Sequence, residues 1–290
     1  MAEQRIEFGV LNIVAQPHGE GTYRDILSRA AGQEINFWGD LNAAIREPRE
    51  VEKGVFQSEI VIGTEINLSE PLIDRDSLRE VPASETDVRI SDAHLYNGRV
   101  FLYTFIEETH LLSFESLNEF GKILSPSRAR RIFSRLFSVD VLGPDAPHVD
   151  VTVVPEDDTL ERLLGLERLD RVEIHLRKPN PADVNEQEVH EILGELEDQG
   201  AKSQDISLVR APGAPRIVLN VQNFIRAKVA QFNGYVNAAG VENGERYSGS
   251  TRTYPKVIRI VRDTSTSITA VAVNVAKRIR LGQQPPADGD

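Results

Sequence analysis

The sequence predicts an α+β fold, with α/β as the near alternative: two packed mixed domains, mostly antiparallel sheets with flanking helices. Three observations predict it. Apolar residues alternate with polar ones in strand-like runs, as where Val172, Ile174 and Leu176 stand between Glu173, His175 and Arg177. Helical periodicity separates such runs, most clearly at Ala129, Ile132, Phe133, Leu136 and Phe137. Asn97-Gly98 and Glu242-Asn243-Gly244-Glu245 carry hairpin turn chemistry, which implies antiparallel neighbours.

The elements follow in order. Arg5 to Ala15 is apolar, rich in β-branched residues, and stops at Gln16-Pro17-His18-Gly19, so it reads as a strand and turn. Thr22 to Ala31 reads as a short helix stopped by Gly32. Val55 to Leu68 is a strand with Ile60, Ile62 and Ile66 on one parity, and the polar stretch from Ser69 to Asp92 is a long loop or insertion. Asn97-Gly98 is expected to turn a hairpin between His94–Tyr96 and Val100–Tyr103, and Phe105 to Phe114 to continue the sheet past a turn at Glu107-Glu108. Ser125 to Ser138 is a helix, capped by Ser125 with Pro126 at its first position.

Gly143-Pro144-Asp145-Ala146-Pro147 is the expected boundary between an N-terminal domain (1–142) and a C-terminal one (148–281). The second half is expected to run as strand His148–Val154, helix Thr159–Leu166, a strand through Val172–Leu176, helix Val184–Asp198 with Val189, Ile192, Leu193 and Leu196 buried, and strand Asp205–Arg210. A helix burying Val221, Phe224, Ile225 and Phe232 follows, then a hairpin of Tyr235–Gly240 and Arg246–Thr253. Ser267 to Leu281 fits helix or strand, helix being the preferred reading, and 282–290 is a polar, proline-containing tail.

Composition narrows the function classes. Of 290 residues, 40% are hydrophobic and 27% charged, which fits a globular chain. Cysteine is absent, which excludes disulfides, cysteine-ligated metals and cysteine nucleophiles. No apolar run approaches the roughly 18 residues of a bilayer span, and the N-terminus lacks a signal-peptide pattern, so a cytoplasmic location without membrane contact is expected. The 45 acids and 33 bases leave a formal charge of −12, which argues against a surface that is basic all over.

The positive charge is segregated. Ser125 to Ser138 holds Arg128, Arg130, Arg131 and Arg135 and no acid, while Arg246 to Arg280 holds eight bases against Asp263 alone. Arginine offers a planar fork that matches phosphate bidentately. On the helix, Arg128, Arg131 and Arg135 lie at i, i+3 and i+7 and share a face. The candidate nucleic-acid-binding residues are therefore Arg128, Arg131, Arg135, Arg246, Arg252, Lys256, Arg259, Arg262, Lys277, Arg278 and Arg280. Tyr235, Tyr247 and Tyr254 lie among these bases, where they either stack on bases of a single strand or pack the sheet. The blander account of all this charge is a solvated surface, or arginines paired with the chain's own acids. Glu186 to Asp198 is the converse, six acids on one amphipathic helix, either a solvated face or a docking face for a basic partner.

Catalytic motifs are missing. The six histidines form no zinc-protease pattern, no phosphate loop or G-x-S-x-G elbow is present, and Gly19-Glu20-Gly21 is too short for a dinucleotide fingerprint. His148 and Asp150, at i, i+2 on one strand, share a face but fall short of a metal site. No cofactor is expected.

Several segments resemble a bacterial family of domains of unknown function, numbered 4747. They are Leu11-Asn12-Ile13-Val14; Ser125-Pro126-Ser127-Arg128-Ala129 with Phe133 and Leu136-Phe137; Val151 to Leu164 with Val153-Val154-Pro155 and Thr159-Leu160; and Asn233-Gly234-Tyr235-Val236 followed by Ser250-Thr251. The order of elements is more distantly similar to the A component of Rex-type phage exclusion. The resemblance implies antiviral defence with nucleic acid as ligand, and it transfers no catalytic residue. The expected function is a non-catalytic, sensor-like nucleic-acid binder, DNA or RNA, that self-associates and works with partner proteins of a defence operon. The alternatives are a metal-dependent nuclease with scattered carboxylates, and an interaction subunit of a defence complex.

Overall fold

A computed structural model describes residues 3–67, 69–87, 89–91, 93–178 and 187–279. The chain runs through β1 (Glu3–Gln16), α1 (Thr22–Ala30), β2 (Ile35–Trp38), β3 (Leu41–Ile45), β4 (Arg49–Glu52), β5 (Val55–Thr64), the short pair β6 (Leu72–Ile73) and β7 (Glu80–Val81), β8 (Tyr96–Ile106) and β9 (Leu111–Leu117). It continues through α2 (Pro126–Leu136), α3 (Val139–Leu142), β10 (His148–Val153), α4 (Thr159–Leu164), β11 (Arg168–Arg177), α5 (Gln187–Asp198) and β12 (Ser203–Val209). It closes with α6 (Val221–Ala230), β13 (Gly234–Glu242), β14 (Glu245–Ser250), β15 (Val257–Asp263) and α7 (Ile268–Arg278). The fold is mixed α+β with antiparallel sheets. Among the described residues no helix is long and apolar enough to cross a membrane.

The larger sheet has nine strands in the order β10-β1-β9-β8-β5-β3-β2, with β15 beside β1 and β4 beside β5. β1 is 14 residues long, so β15 pairs with Glu3–Gly9 and β10 with Leu11–Gln16. One face packs Leu11, Ile13, Phe101, Tyr103 and Phe114 against α1 and α2 through Tyr23, Ile26, Ile132 and Phe133. The other packs Ile6, Phe8, Val10 and Leu111 against Ala272 and Val275 of α7. Burial on both faces explains why β1 reads as a continuous apolar run with no clean alternation.

The smaller sheet has the order β12-β11-β13-β14, every neighbour antiparallel. Val172, Ile174, Leu176, Val236 and Ala238 face one core with Leu160 and Leu163 of α4, Ile192 and Leu196 of α5 and Ala227 and Ala230 of α6. With the helices on this side, the opposite face of the sheet is left open. Gly234 opens β13 because nothing larger fits: a Cβ there would lie 1.9 Å from the His175 carbonyl oxygen, at φ +152°.

Polar contacts join the two sheets. Asn12 Nδ2 on β1 donates to the Phe232 carbonyl at 3.3 Å and to Asn233 Oδ1 at 3.2 Å. Thr152 Oγ1 on β10 donates to the same Phe232 carbonyl at 2.5 Å, and Gln16 Nε2 donates to the Lys178 carbonyl at 2.7 Å. Strands β10 and β15, which both follow Gly143, are integral to the first sheet.

Three expectations need correction. Asn97-Gly98 turns no hairpin: the residues lie inside β8, and the register against β5 shifts between Ile62 and Thr64. Asn97 does take the positive φ (54°) that its sequence signals, but spends it on a bulge. The apolar set expected around α6 packs only in part: Ile225 and Phe232 lie against the cores, but Val221 is 71% and Phe224 36% exposed, and the small residues Ala227 and Ala230 are buried and let the helix approach β11 and β13 closely. Strands β2, β3, β4 and β15 were not expected; the first three are four or five residues long, and β15 is interrupted by Arg259 and Arg262. The helix at Ser125 stands as expected, with the Ser125 side chain accepting from the Arg128 N–H. The Asn243-Gly244 turn also holds, at φ 50° and 78°. The segment 179–186, including the start of the expected acidic helix, and the tail 282–290 lie outside the described residues, as do the side chains of Val189 and Leu193.

Candidate functional site

The C-terminal basic stretch does not form one surface. Lys256 is buried, its Nζ 2.8 and 2.9 Å from the two carboxylate oxygens of Asp157. Arg262 is buried too, donating to Glu119 at 2.5 Å, Gln4 Oε1 at 2.9 Å and the Thr266 carbonyl at 2.5 Å. Lys277 Nζ sits 2.6 Å from Glu52, and Arg259 Nε lies 3.4 Å from Glu7. Arg278 is exposed and has no ion pair among the described residues; Arg280 lies outside them. Lys256, Arg262 and Lys277 are thus each paired with one of the chain's own acids, while Arg259, 67% exposed, shares Glu7 with Arg5.

The helix α2 divides its arginines. Arg128, Arg131 and Arg135 share the expected face, but that face turns toward β2. Arg131 stacks on Trp38, 4.1 Å from the ring centroid, and Arg135 donates to the Asn36 carbonyl. Arg128 is exposed. Arg130, which lies off the i, i+3, i+7 row, points elsewhere.

Arg130 of α2, Arg177 at the end of β11 and Arg252 just after β14 lie near enough for their charges to act on one another. Arg177 donates to Asp150 of β10 at 2.5 Å, and His148 Nε2 lies 3.3 Å from the same carboxylate. Neither Arg130 nor Arg252 pairs with a carboxylate among the described residues. Arg252 is held by stacking, its guanidinium carbon 3.5 Å from the Tyr235 centroid. Tyr235 stacks in turn on His175 at 4.8 Å, and His175 Nδ1 is 2.5 Å from Asp205 Oδ1. A ring restrains a guanidinium without cancelling its charge.

The electrostatics record this crowding. Partial desolvation lowers the pKa of Arg130, and the charges of Arg131 and Arg177 lower it further. Desolvation also lowers that of Arg252; Tyr235 opposes the shift, while Arg130 and Arg177 add to it. Both remain cationic at neutral pH, since an arginine starts far above it. The fold therefore keeps Arg130 and Arg252 partly desolvated and near Arg177, whose own charge is met by Asp150.

Beside the cluster runs the open face of the smaller sheet. Its successive cross-strand rows are Asp205, His175 and Tyr235; then Ser207, Glu173, Asn237 and Ser250; then Val209, Arg171, Ala239 and Ser248. A groove of about 410 Å³ lies over it, lined by residues that include Arg171, Glu173, Asn237, Ser248, Ser250 and Thr253. Exposed Arg246, paired with Val241, stands on the next row. The other tyrosines serve packing: Tyr247 packs against the core of the smaller sheet and meets Tyr254 at 2.8 Å between hydroxyls, and Arg162 covers Tyr254. On the acidic helix, Glu195 pairs with Arg226 and Glu197 with Lys178.

A second cavity, about 780 Å³, opens at the other end of α1, lined among others by His18, Tyr23, Lys53, Glu107 and His110. The Ala15 N–H donates to the Tyr23 hydroxyl at 3.2 Å, and that hydroxyl lies 2.5 Å from His110 Nδ1. Burial first, and then the charge of His18, push the His110 pKa down to about 4, so its ring is neutral at pH 7. Among the described residues no group of three or more His, Asp or Glu is disposed to hold a metal ion.

The family model described as Domain of unknown function (DUF4747) matches residues 4–278, a span that takes in both sheets and every member of the arginine cluster. No curated protein matches the chain.

Proposed function

The chain belongs to the DUF4747 family, and from that premise we propose that it binds nucleic acid, through phosphates held by Arg130 and Arg252, beside Arg177, which already holds Asp150. The observation that carries the reading is the pair of guanidiniums Arg130 and Arg252, from separate elements and within range of each other's charge, with no carboxylate on either among the described residues and Arg252 fixed 3.5 Å over the Tyr235 ring. Fork-shaped donors with free charge are the usual means of holding phosphate oxygens. Arg246 adds a further exposed positive charge at the far end of the open sheet face, beyond the row that holds Glu173. Lys256, Arg262 and Lys277 are left out of it, since each is already paired with a carboxylate, and so is Arg259, which lies on β15 of the larger sheet. On this reading the protein is a binder and sensor with no catalysis at this site. Antiviral defence stands with it as the setting that the family resemblance implies, and self-association and a partner protein of a defence operon are proposed beside it.

Oligonucleotide binding by fluorescence anisotropy, between about 50 and 200 mM salt, tests the proposal. Arg130→Ala and Arg252→Ala are each expected to weaken binding by roughly tenfold or more at the lower salt, the scale of a missing charge-assisted hydrogen bond. Each is also expected to flatten the log–log salt dependence by about 0.9 for a duplex, or about 0.7 for a single strand, for every phosphate no longer neutralised. Arg259→Ala and Lys277→Ala should leave both unchanged. Absence of nucleic-acid binding in the intact protein, or equal binding by the two cluster variants and the intact protein, overturns the reading.

A further inference from the structure

The inference rests on the nucleic-acid reading and specifies its ligand: we propose that the open face of the smaller sheet takes an unpaired nucleotide of a single strand, its base in the groove over Glu173 and Asn237 and its phosphate on the arginine cluster.

The placement follows from continuity. Tyr235, which carries Arg252, and Asn237 are two residues apart on β13 and face the same way, a step of about 7 Å. The anion site therefore borders the groove along one strand. At about 410 Å³ the groove falls within the roughly 300–1,000 Å³ of small-ligand pockets. Its floor is kept low by Ala239, Ser248 and Ser250, so a flat ring can approach the backbone.

The lining suits a base edge. Asn237 Nδ2 donates to Glu173 Oε2 at 3.0 Å, and Arg171 holds Glu173 Oε1 at 2.7 Å. Asn237 Oδ1 accepts no hydrogen bond among the described residues. The groove thus presents a fixed amide acceptor, a fixed carboxylate and the Ser248 hydroxyl, the mixture of donors and acceptors that reads Watson–Crick edges. Those edges are available on an unpaired base and are consumed in a duplex.

The width of the sheet keeps it out of the major groove of a duplex, so base edges of a duplex are not read from this face. Four strands about 4.8 Å apart span roughly 14 Å between the outer strand axes, wider than the major groove of about 12 Å. A single strand lies across an open sheet without entering a groove.

The test compares a single-stranded oligonucleotide with its own duplex by anisotropy, for the intact protein, Ser248→Trp, Asn237→Ala and Arg252→Ala. Ser248 is exposed, so the indole fills the groove without entering a core. The expected result is at least tenfold tighter binding of the single strand. Ser248→Trp should lower that preference at least tenfold while the salt dependence stays as it was; Asn237→Ala, which adds no bulk, should lower it in the same direction. Arg252→Ala should weaken both forms and flatten the salt dependence. Equal binding of single strand and duplex, with no effect of Ser248→Trp or Asn237→Ala but a retained effect of Arg252→Ala, overturns this inference and leaves the broader reading standing. No binding of either nucleic acid overturns both.

Discussion

Glu115→Gln is expected to stabilise the folded protein by about 3 kcal/mol at pH 8 and to have almost no effect below pH about 4. Glu115 is buried on β9, on the face covered by α7, and its Oε2 accepts from the Leu102 N–H at 2.7 Å. Burial pushes its pKa up from 4.5 to about 7; the Leu102 hydrogen bond opposes the shift, and the charge of Glu119 adds to it. Between those two values the unfolded chain gives up a proton that the folded chain keeps. Raising the pH through this window therefore costs stability, fully so above pH 7. Glutamine keeps the acceptor for Leu102 and removes the ionisation.

His110 tilts the opposite way. Its pKa falls from 6.5 to about 4 on folding, so the unfolded chain takes up a proton that the folded chain refuses, and stability drops as the pH falls through that window. In the intact protein the two slopes oppose each other between pH 4.5 and 6.5, giving a shallow profile. Urea midpoints across pH 4–8 separate them. Glu115→Gln should leave a profile that falls on acidification, and His110→Asn, which tolerates the positive φ of 57° at that position, should leave one that rises. A Glu115→Gln profile parallel to that of the intact protein would mean that the carboxylate is ionised within the fold.

Lys256→Ala and Arg262→Ala are expected to cost about 3 kcal/mol each, because a partner is left without its charge in a mostly buried site. Lys256 holds Asp157 between β15 and the turn after β10, and Arg262 ties β15 to Glu119, Gln4 and the Thr266 carbonyl. Measured on folded protein at low temperature, their oligonucleotide affinity should remain within about twofold of the intact chain. Arg252→Ala should do the reverse, lowering affinity with little change in the unfolding midpoint. The crossed pattern distinguishes arginines and lysines that hold the fold from those that face a ligand. If Lys256→Ala lost affinity while Arg252→Ala kept it, the ligand site would belong to the C-terminal basic stretch.

How much of this could be read beforehand follows the range of each interaction. The helix at Ser125 and its buried stripe, the β11 alternation, and the Asn243-Gly244 turn were legible because caps, periodicity and φ preferences act over a few neighbouring residues. Asn97-Gly98 shows the limit even there: the residue's preference for positive φ was right, but whether it makes a turn or a bulge depends on the strand lying opposite.

The site was legible only in its ingredients. Sequence alone determined that arginine dominates the bases, that they concentrate in two stretches, and that cysteine chemistry is absent. Only the tertiary structure decided which arginines are free. Lys256 meets a carboxylate 99 positions away and Arg262 one 143 positions away, separations at which no local pattern carries information. The same folding turns Arg131 and Arg135 of α2 toward β2 and leaves Arg130 within range of the charges of Arg177 and Arg252. Charge can be counted along a chain, but its neutralisation depends on distance in space, and that is set by how the sheets pack.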